Sequence, residues 1–353
     1  MRVVGVVAAS DLADEATIRR ARDRLRRLGL SRIEAVTDPE RAPEDPAVVL
    51  IATGGTEDVL EALMERCPAL LPLYWPRHNS LAAALEVGLS PVSVENCGAV
   101  IEAFRRLVER RVLVLGGKCE WVRSEEPSEL PYLNVTAVDV DGLDEVKPAA
   151  REVKRLLSSA GVDVRSLDEG FLELAGRLHA LAEREKAVVI TGDCFGLYEE
   201  YGAVPCLYFS ARGGYCCEGD ATALLTVLAC RRQPFVANVV EWEGDRVRLA
   251  HCACPLELVE GSEPCDHLET GAPHAVRGCV GPGDFGLARY PDVWRVDVVE
   301  TSWREDQCRV QAEVRVSGFE PRGNHHCLVG RDEVDALRGL FSSVVLSQPP
   351  SAQ

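Results

Sequence analysis

Short apolar runs alternate with amphipathic stretches over the first third of the chain. Val3–Val7, Arg32–Val36, Val48–Ile51, Leu70–Leu73 and Val92–Val94 read as strands, and Glu15–Leu28, Glu57–Glu65, Leu81–Val87 and Ala99–Arg110 carry the apolar period of helices. Such alternation predicts a parallel sheet covered on both faces. The pattern continues with a strand that runs into the Gly116-Gly117 pair and is followed by an acidic, proline-containing loop (Ser124 to Pro131). Strands are expected at Val112–Leu115, Val135–Val140 and Ala187–Thr191, with helices around Val146–Ala160, at Gly170–Lys186 and directly after Asp220. Beyond Arg232 the period changes to that of strands. Phe235–Trp242 and Arg246–His251 flank Glu243-Gly244-Asp245, a hairpin signature, and Val293–Trp303 with Arg309–Val316 make a second hairpin. A helix is expected at Asp332–Phe341 and a frayed tail after Ser347.

The resulting fold class is α/β. Rossmann-like parallel α/β/α layers form an N-terminal domain (1–111) and a middle domain (112–231), followed by a β-rich antiparallel C-terminal domain (232–353). A length of 353 residues accommodates three such cores. The formal net charge of −17 argues against electrostatic partnership with nucleic acid or an anionic membrane. No apolar run reaches the length that spans a bilayer, and the Val3–Ala9 run reads as a first buried strand rather than a signal peptide, so the expected location is the cytoplasm. The fourteen cysteines are not spaced as a secreted disulfide framework.

The chemistry concentrates around Tyr215-Cys216-Cys217-Glu218-Gly219-Asp220, which opens the apolar helix that follows. A carboxylate at a helix start is commonly a cap. Here a second acid follows a strand at Thr191-Gly192-Asp193, and two histidines sit at Gly323-Asn324-His325-His326. Acid, acid and histidine from three elements suit an oxygen-rich divalent metal site: Asp193, Glu218 or Asp220, and His325 would hold Mn²⁺ or Mg²⁺. A cation between vicinal sugar oxygens would acidify their neighbouring protons, and flanking carboxylates would move them. Five of the seven histidines (251, 267, 274, 325 and 326) fall after residue 232, whereas His179 lies in an amphipathic helix and reads as structural. A rival set of soft donors, Cys252, Cys254, Cys265 and His267, would make a structural zinc site. Gly54-Gly55-Thr56 reads as a plain strand-to-helix turn, and His78 stands beside a helix cap at Asn79-Ser80.

Several segments taken in order resemble L-fucose isomerase-like proteins of the fucose/arabinose isomerase superfamily. They are His78-Asn79-Ser80-Leu81, Val112–Gly117, Cys216–Asp220, Leu249-Ala250-His251-Cys252, His267-Leu268-Glu269-Thr270-Gly271 and Gly323–His326. The resemblance implies a Mn²⁺-dependent aldose–ketose isomerase acting on a small sugar through an enediol, with Mg²⁺ or Co²⁺ as alternative ions. It casts Asp193 and Asp220 as metal ligands and proton carriers and His325 as the third ligand, with Glu218 as the alternative to Asp193. Glu218, His251, His267, Asn324, His326 and His78 would orient the substrate or the ligands. It also implies a homotrimer or homohexamer in which His78 faces a neighbouring subunit's site. The rival to catalysis is a sugar-binding or sensor protein that keeps the fold.

Overall fold

The computed structural model describes residues 2–347 and divides the chain into two compact units: residues 1–110, 129–134 and 335–353 in one, and residues 111–128 and 135–334 in the other. In the first unit, strands β1 (Val4–Ala8), β2 (Ile33–Val36), β3 (Ala47–Ile51), β4 (Ala69–Tyr74) and β5 (Val92–Ser93) alternate with helices α1 (Glu15–Arg27), α2 (Glu57–Arg66), α3 (Ser80–Glu86) and α4 (Gly98–Glu109). β2, β1, β3, β4 and β5 pair in parallel in that order. Every residue of β1 and β3 is buried, as the uninterrupted apolar runs require of strands covered on both faces. Each valine or leucine so buried contributes roughly 1.5–3 kcal/mol.

The second unit holds two sheets. β6 (Arg111–Leu115), β7 (Asn134–Val138), β8 (Val189–Gly192) and β9 (Tyr215–Cys217) form one, interleaved with α5 (Ala150–Ser159), α6 (Glu169–Glu185), α7 (Cys194–Tyr201), α8 (Cys206–Arg212) and α9 (Ala221–Ala229). Within it β6, β8 and β9 run parallel. The other sheet is almost wholly antiparallel: β10 (Phe235–Glu243), β11 (Arg246–His251), β12 (Val259–Cys265), β13 (Ala275–Val280), β14 (Gly283–Arg289), β15 (Asp292–Val299), β16 (Val310–Arg315) and β17 (His325–Gly330). The two expected hairpins are present as β10–β11 and β15–β16.

What the local pattern did not announce is closure. β11 pairs with β16 as well as with β10, so β10, β11, β16, β15, β14 and β17 form a closed six-stranded barrel, with β12 and β13 as an appended hairpin. The apolar helix α9 packs on the outer face of β17, where Cys327 Sγ lies 3.7 Å from the Ala223 carbonyl. Successive strand residues point to opposite faces. His325 and Cys327 therefore face α9, and His326 faces the barrel interior with Leu328. Finally α10 (Val334–Phe341) is followed by β18 (Val345–Leu346), which pairs antiparallel with β4. Among the described residues no helix is long and apolar enough to cross a membrane.

Candidate metal centre

β8 and β9 run parallel with Gly192 opposite Cys217, so both strands release the chain at the same edge of the sheet. Asp193 follows the first and Glu218 the second, at the carboxyl ends where such sheets place ligands. After Cys217 the chain takes two left-handed residues, Glu218 (φ 60°) and Gly219 (φ 67°). A Cβ on Gly219 would come 2.5 Å from Lys118 Cα, so only glycine tolerates this approach. The turn separates two carboxylates that are neighbours but one in sequence.

Asp220 points into its own helix. Its Oδ1 accepts from the N–H groups of Thr222 (3.1 Å) and Ala223 (3.4 Å), capping α9. Oδ2 accepts from Arg289 Nη1 at 2.8 Å and from the backbone N–H of His325 at 3.2 Å, and lies 3.3 Å from His325 Nδ1. Arg289 Nη2 approaches Oδ1 at 3.4 Å, and Nη1 also donates to the His325 carbonyl. Burial opposes ionisation of Asp220, but the His325 contact and the Arg289 charge outweigh it and hold the carboxyl well below the usual range. Gly323 leaves room for that guanidinium, since a Cβ there would collide with it.

Glu218 points the other way. Its Oε2 accepts from Trp121 Nε1 (2.7 Å) and Asn324 Nδ2 (2.6 Å). Oε1 lies 3.8 Å from His325 Nε2, a fully buried nitrogen with no hydrogen-bond partner. His251, at the end of β11, completes the group: its ring centroid is 5.3 Å from that of His325, and one ligand atom from each of Glu218, His251 and His325 lies within 4.8 Å of the others. Burial, followed by the neighbouring histidines, pushes the His251 imidazolium well below its ordinary pKa, so the ring is neutral, as a metal ligand must be. One carboxylate and two imidazoles, with a further carboxylate holding the far nitrogen of His325, form a set that fits a divalent transition-metal ion. Among the described residues it is the one group of three or more such side chains with this proximity.

The structure distributes the remaining expected residues. His267 lines the pocket in front of Glu218 and His251 together with Asn238, Glu269 and Thr270. Its Nδ1 accepts from the Thr270 N–H at 3.3 Å, and burial lowers its pKa. Asn324 holds Glu218, as described. His326 lies on the opposite side of β17 from His325, packs edge-on to Phe319 with centroids 5.3 Å apart, and has no partner at either ring nitrogen. Asp193 stays outside the three-residue group: its Oδ1 caps α7 through Phe195 N–H (3.1 Å) and Gly196 N–H (3.0 Å) and accepts from Cys119 Sγ (3.1 Å). Asp220 stands behind His325 with both oxygens engaged, rather than beside Glu218. His78 belongs to the first unit, where its Nδ1 accepts from Ser80 N–H at 3.3 Å. Cys252, Cys254, Cys265 and His267 do not gather as a group of three donors.

Two residues of the site carry no sequence signal. Trp121 lies in the acidic loop after β6, half-exposed, and reaches Glu218 from 97 residues away. Arg289 is the last residue of β14, one of many arginines in an arginine-rich chain. Only the fold shows that each meets a buried carboxylate. No protein-family model matches this sequence. No curated protein matches it either.

Proposed function

We propose that the chain is a metal-dependent aldose–ketose isomerase of the L-fucose isomerase-like kind, acting on a small fucose- or arabinose-like sugar, with Glu218, His251 and His325 as the metal ligands. The observation that carries this reading is the buried, unpartnered His325 Nε2 facing the free oxygen of Glu218, with His251 alongside. A buried polar atom without a partner is costly, and an ion bound between these groups removes that cost. Two imidazoles and one carboxylate favour Mn²⁺ or Co²⁺ over Mg²⁺, which prefers all-oxygen sites.

A bound cation would polarise the vicinal oxygens of an open-chain sugar and acidify the C–H between them. The protein groups supply the rest. The pocket lining contains the carboxylates of Glu218 and Glu269 and neither lysine nor arginine, so it suits a neutral polyhydroxy ligand better than a phosphorylated one. Glu269 is the carboxylate assigned to carry the proton between neighbouring carbons. His267 accepts at Nδ1 from Thr270, so the neutral ring keeps its proton on Nε2 and donates to a sugar oxygen. Phe195 and Phe209 form apolar wall that keeps bulk water from the reacting carbons.

Solvent-deuterium incorporation at C2, followed by NMR over a panel of aldoses with Mn²⁺ added, tests this reading. Metal-dependent exchange that disappears in His325→Ala is the expected result. Absence of exchange with every sugar, while Mn²⁺ is shown to bind, would reject the isomerase and leave a sugar-binding protein.

A further inference from the structure

Asn238 interrupts the apolar start of β10, Phe235-Val236-Ala237-Asn238-Val239-Val240, and the isomerisation proposed above gives it no task. β10 is the strand between the two that carry the histidines of the metal group, pairing with β17 on one side and with β11 on the other. Asn238 lies directly opposite His325 in the first pairing and opposite Ala250, the residue before His251, in the second. Residues directly opposite in an antiparallel pair place their side chains on one face of the sheet, with Cβ atoms about 4.5–5.5 Å apart. The amide of Asn238 therefore stands beside the side chain of His325, with only the methyl group of Ala250 on its other flank.

That face is the one the pocket opens on, since Asn238 lines it together with Glu218 and His251. The Oδ1 of Asn238 is buried and has no hydrogen-bond partner, which is also the condition of His325 Nε2. With its Nδ1 turned to Asp220, His325 offers a lone pair at Nε2. The amide oxygen offers another, so neither atom satisfies the other. A cation satisfies both.

We propose that the amide oxygen of Asn238 is a fourth donor to the ion held by Glu218, His251 and His325. The inference rests on the metal centre proposed above and adds a ligand and a substrate constraint to it. Amide oxygens are ordinary ligands of hard divalent cations. With two imidazole nitrogens, one carboxylate oxygen and one amide oxygen in place, an octahedral ion such as Mn²⁺ keeps two open positions. Two positions match the two oxygens of an α-hydroxy aldehyde or ketone, so the centre favours such chelating substrates over simple alcohols and isolated carbonyls. The neutral amide also leaves the positive charge of the ion offset by Glu218 alone, where a second carboxylate ligand would cancel it.

Isothermal titration of the intact protein with Mn²⁺, together with thermal unfolding of the metal-free protein, tests this in Asn238→Leu and Asn238→Asp. Leucine is close to asparagine in size and removes the unpartnered oxygen. Asn238→Leu should lower Mn²⁺ affinity roughly tenfold or more. Its metal-free midpoint should stay level or rise, because a buried polar atom without a partner has gone. Asn238→Asp sets an anionic oxygen at the same place. Its metal-free midpoint should fall, and saturating Mn²⁺ should raise it by more than it raises that of the wild type. Unchanged Mn²⁺ affinity in Asn238→Leu overturns the proposal, as does a loss of affinity that comes with a lower metal-free midpoint, the mark of a packing role. Should that variant not fold, a Mn²⁺ shift in Asn238→Asp no larger than the wild type's overturns it equally. Wild-type protein that takes up no Mn²⁺ removes the metal centre itself, whereas wild-type binding with an indifferent Asn238→Leu removes only the fourth donor.

Discussion

His325 presents Nδ1 to Asp220 Oδ2 at 3.3 Å, which leaves its Nε2 facing Glu218 Oε1 at 3.8 Å. A carboxylate behind an imidazole fixes the ring's tautomer and aim, so the nitrogen on the far side carries the lone pair. On this geometry Asp220 would position a ligand of the proposed ion rather than coordinate it. Asp220→Asn should therefore weaken Mn²⁺ binding by about 10–100-fold without abolishing it, because the three ligands stay in place. Isothermal titration of the folded variant measures this. Complete loss of binding would mean that Asp220 coordinates the ion directly. The same substitution strips the largely buried Arg289 side chain (11% exposed) of its charge partner, so the thermal midpoint should fall as well.

Glu218 is aimed by two donors of unequal shelter. Asn324 contributes one, and the half-exposed Trp121 the other. A hydrogen bond to a charged group is worth about 1.5–3 kcal/mol when sheltered and less when water can replace it. Asn324→Ala should accordingly cost more metal affinity than Trp121→Phe. The indole also reports on the site: Mn²⁺ should alter tryptophan fluorescence in the wild type, and that change should vanish in Trp121→Phe while binding persists.

The layers of the fold were legible because the apolar periods of strands and helices are local. β1 and β3 are continuous valine-rich runs, and the two hairpins announce themselves by a turn between alternating strands. Closure of the barrel was not legible, since the β11–β16 pairing joins residues more than fifty positions apart and depends on strand curvature. The site divided in the same way. The motif Glu218-Gly219-Asp220 and the pair His325-His326 lie on the elements that carry the candidate group, and the direction of the backbone decides where each side chain points. A left-handed turn sends Glu218 outward and leaves Asp220 as a cap. Strand alternation gives His325 to the metal group and His326 to the core. Cys252, Cys254, Cys265 and His267 are close along the chain yet scattered by the strand exit and the loop that carry them.

Gly219 makes that division of labour testable. Its φ of 67° disfavours any side chain, and a Cβ would lie 2.5 Å from the Lys118 backbone. Gly219→Ala should cost upwards of about 2 kcal/mol in urea unfolding and reduce Mn²⁺ affinity by displacing Glu218. Gly244 in the β10–β11 turn has a similar φ of 61° with nothing within 4 Å of the added atom. Gly244→Ala should cost only the conformational term, about 1 kcal/mol, and leave metal binding unchanged. Equal losses at the two positions would show that the contact with Lys118 does not matter.

His326 should make the protein acid-sensitive. Burial, reinforced by the Arg289 charge, lowers its pKa from 6.5 to about 4. In the unfolded chain the ring titrates near its ordinary value, so between the two values the unfolded state binds the extra proton. Stability contributed by the neutral ring is therefore present above about pH 6.5, declines as the pH falls through that window, and is lost by about pH 4. At ~1.4 kcal/mol per unit the loss amounts to roughly 3 kcal/mol. Asp220 adds slope only below about pH 5, because its folded-state pKa is depressed and its contribution is lost as the pH falls from there. Urea unfolding at pH 7, 5.5 and 4 measures the decline. His326→Phe fills the same apolar space against Phe319 without a titrating group, so it should lose the His326 share of the decline and keep that of His251 and His267, whose pKa values are lowered as well. An unchanged slope in that variant would assign the proton uptake to the other buried imidazoles with lowered pKa values, His251 and His267.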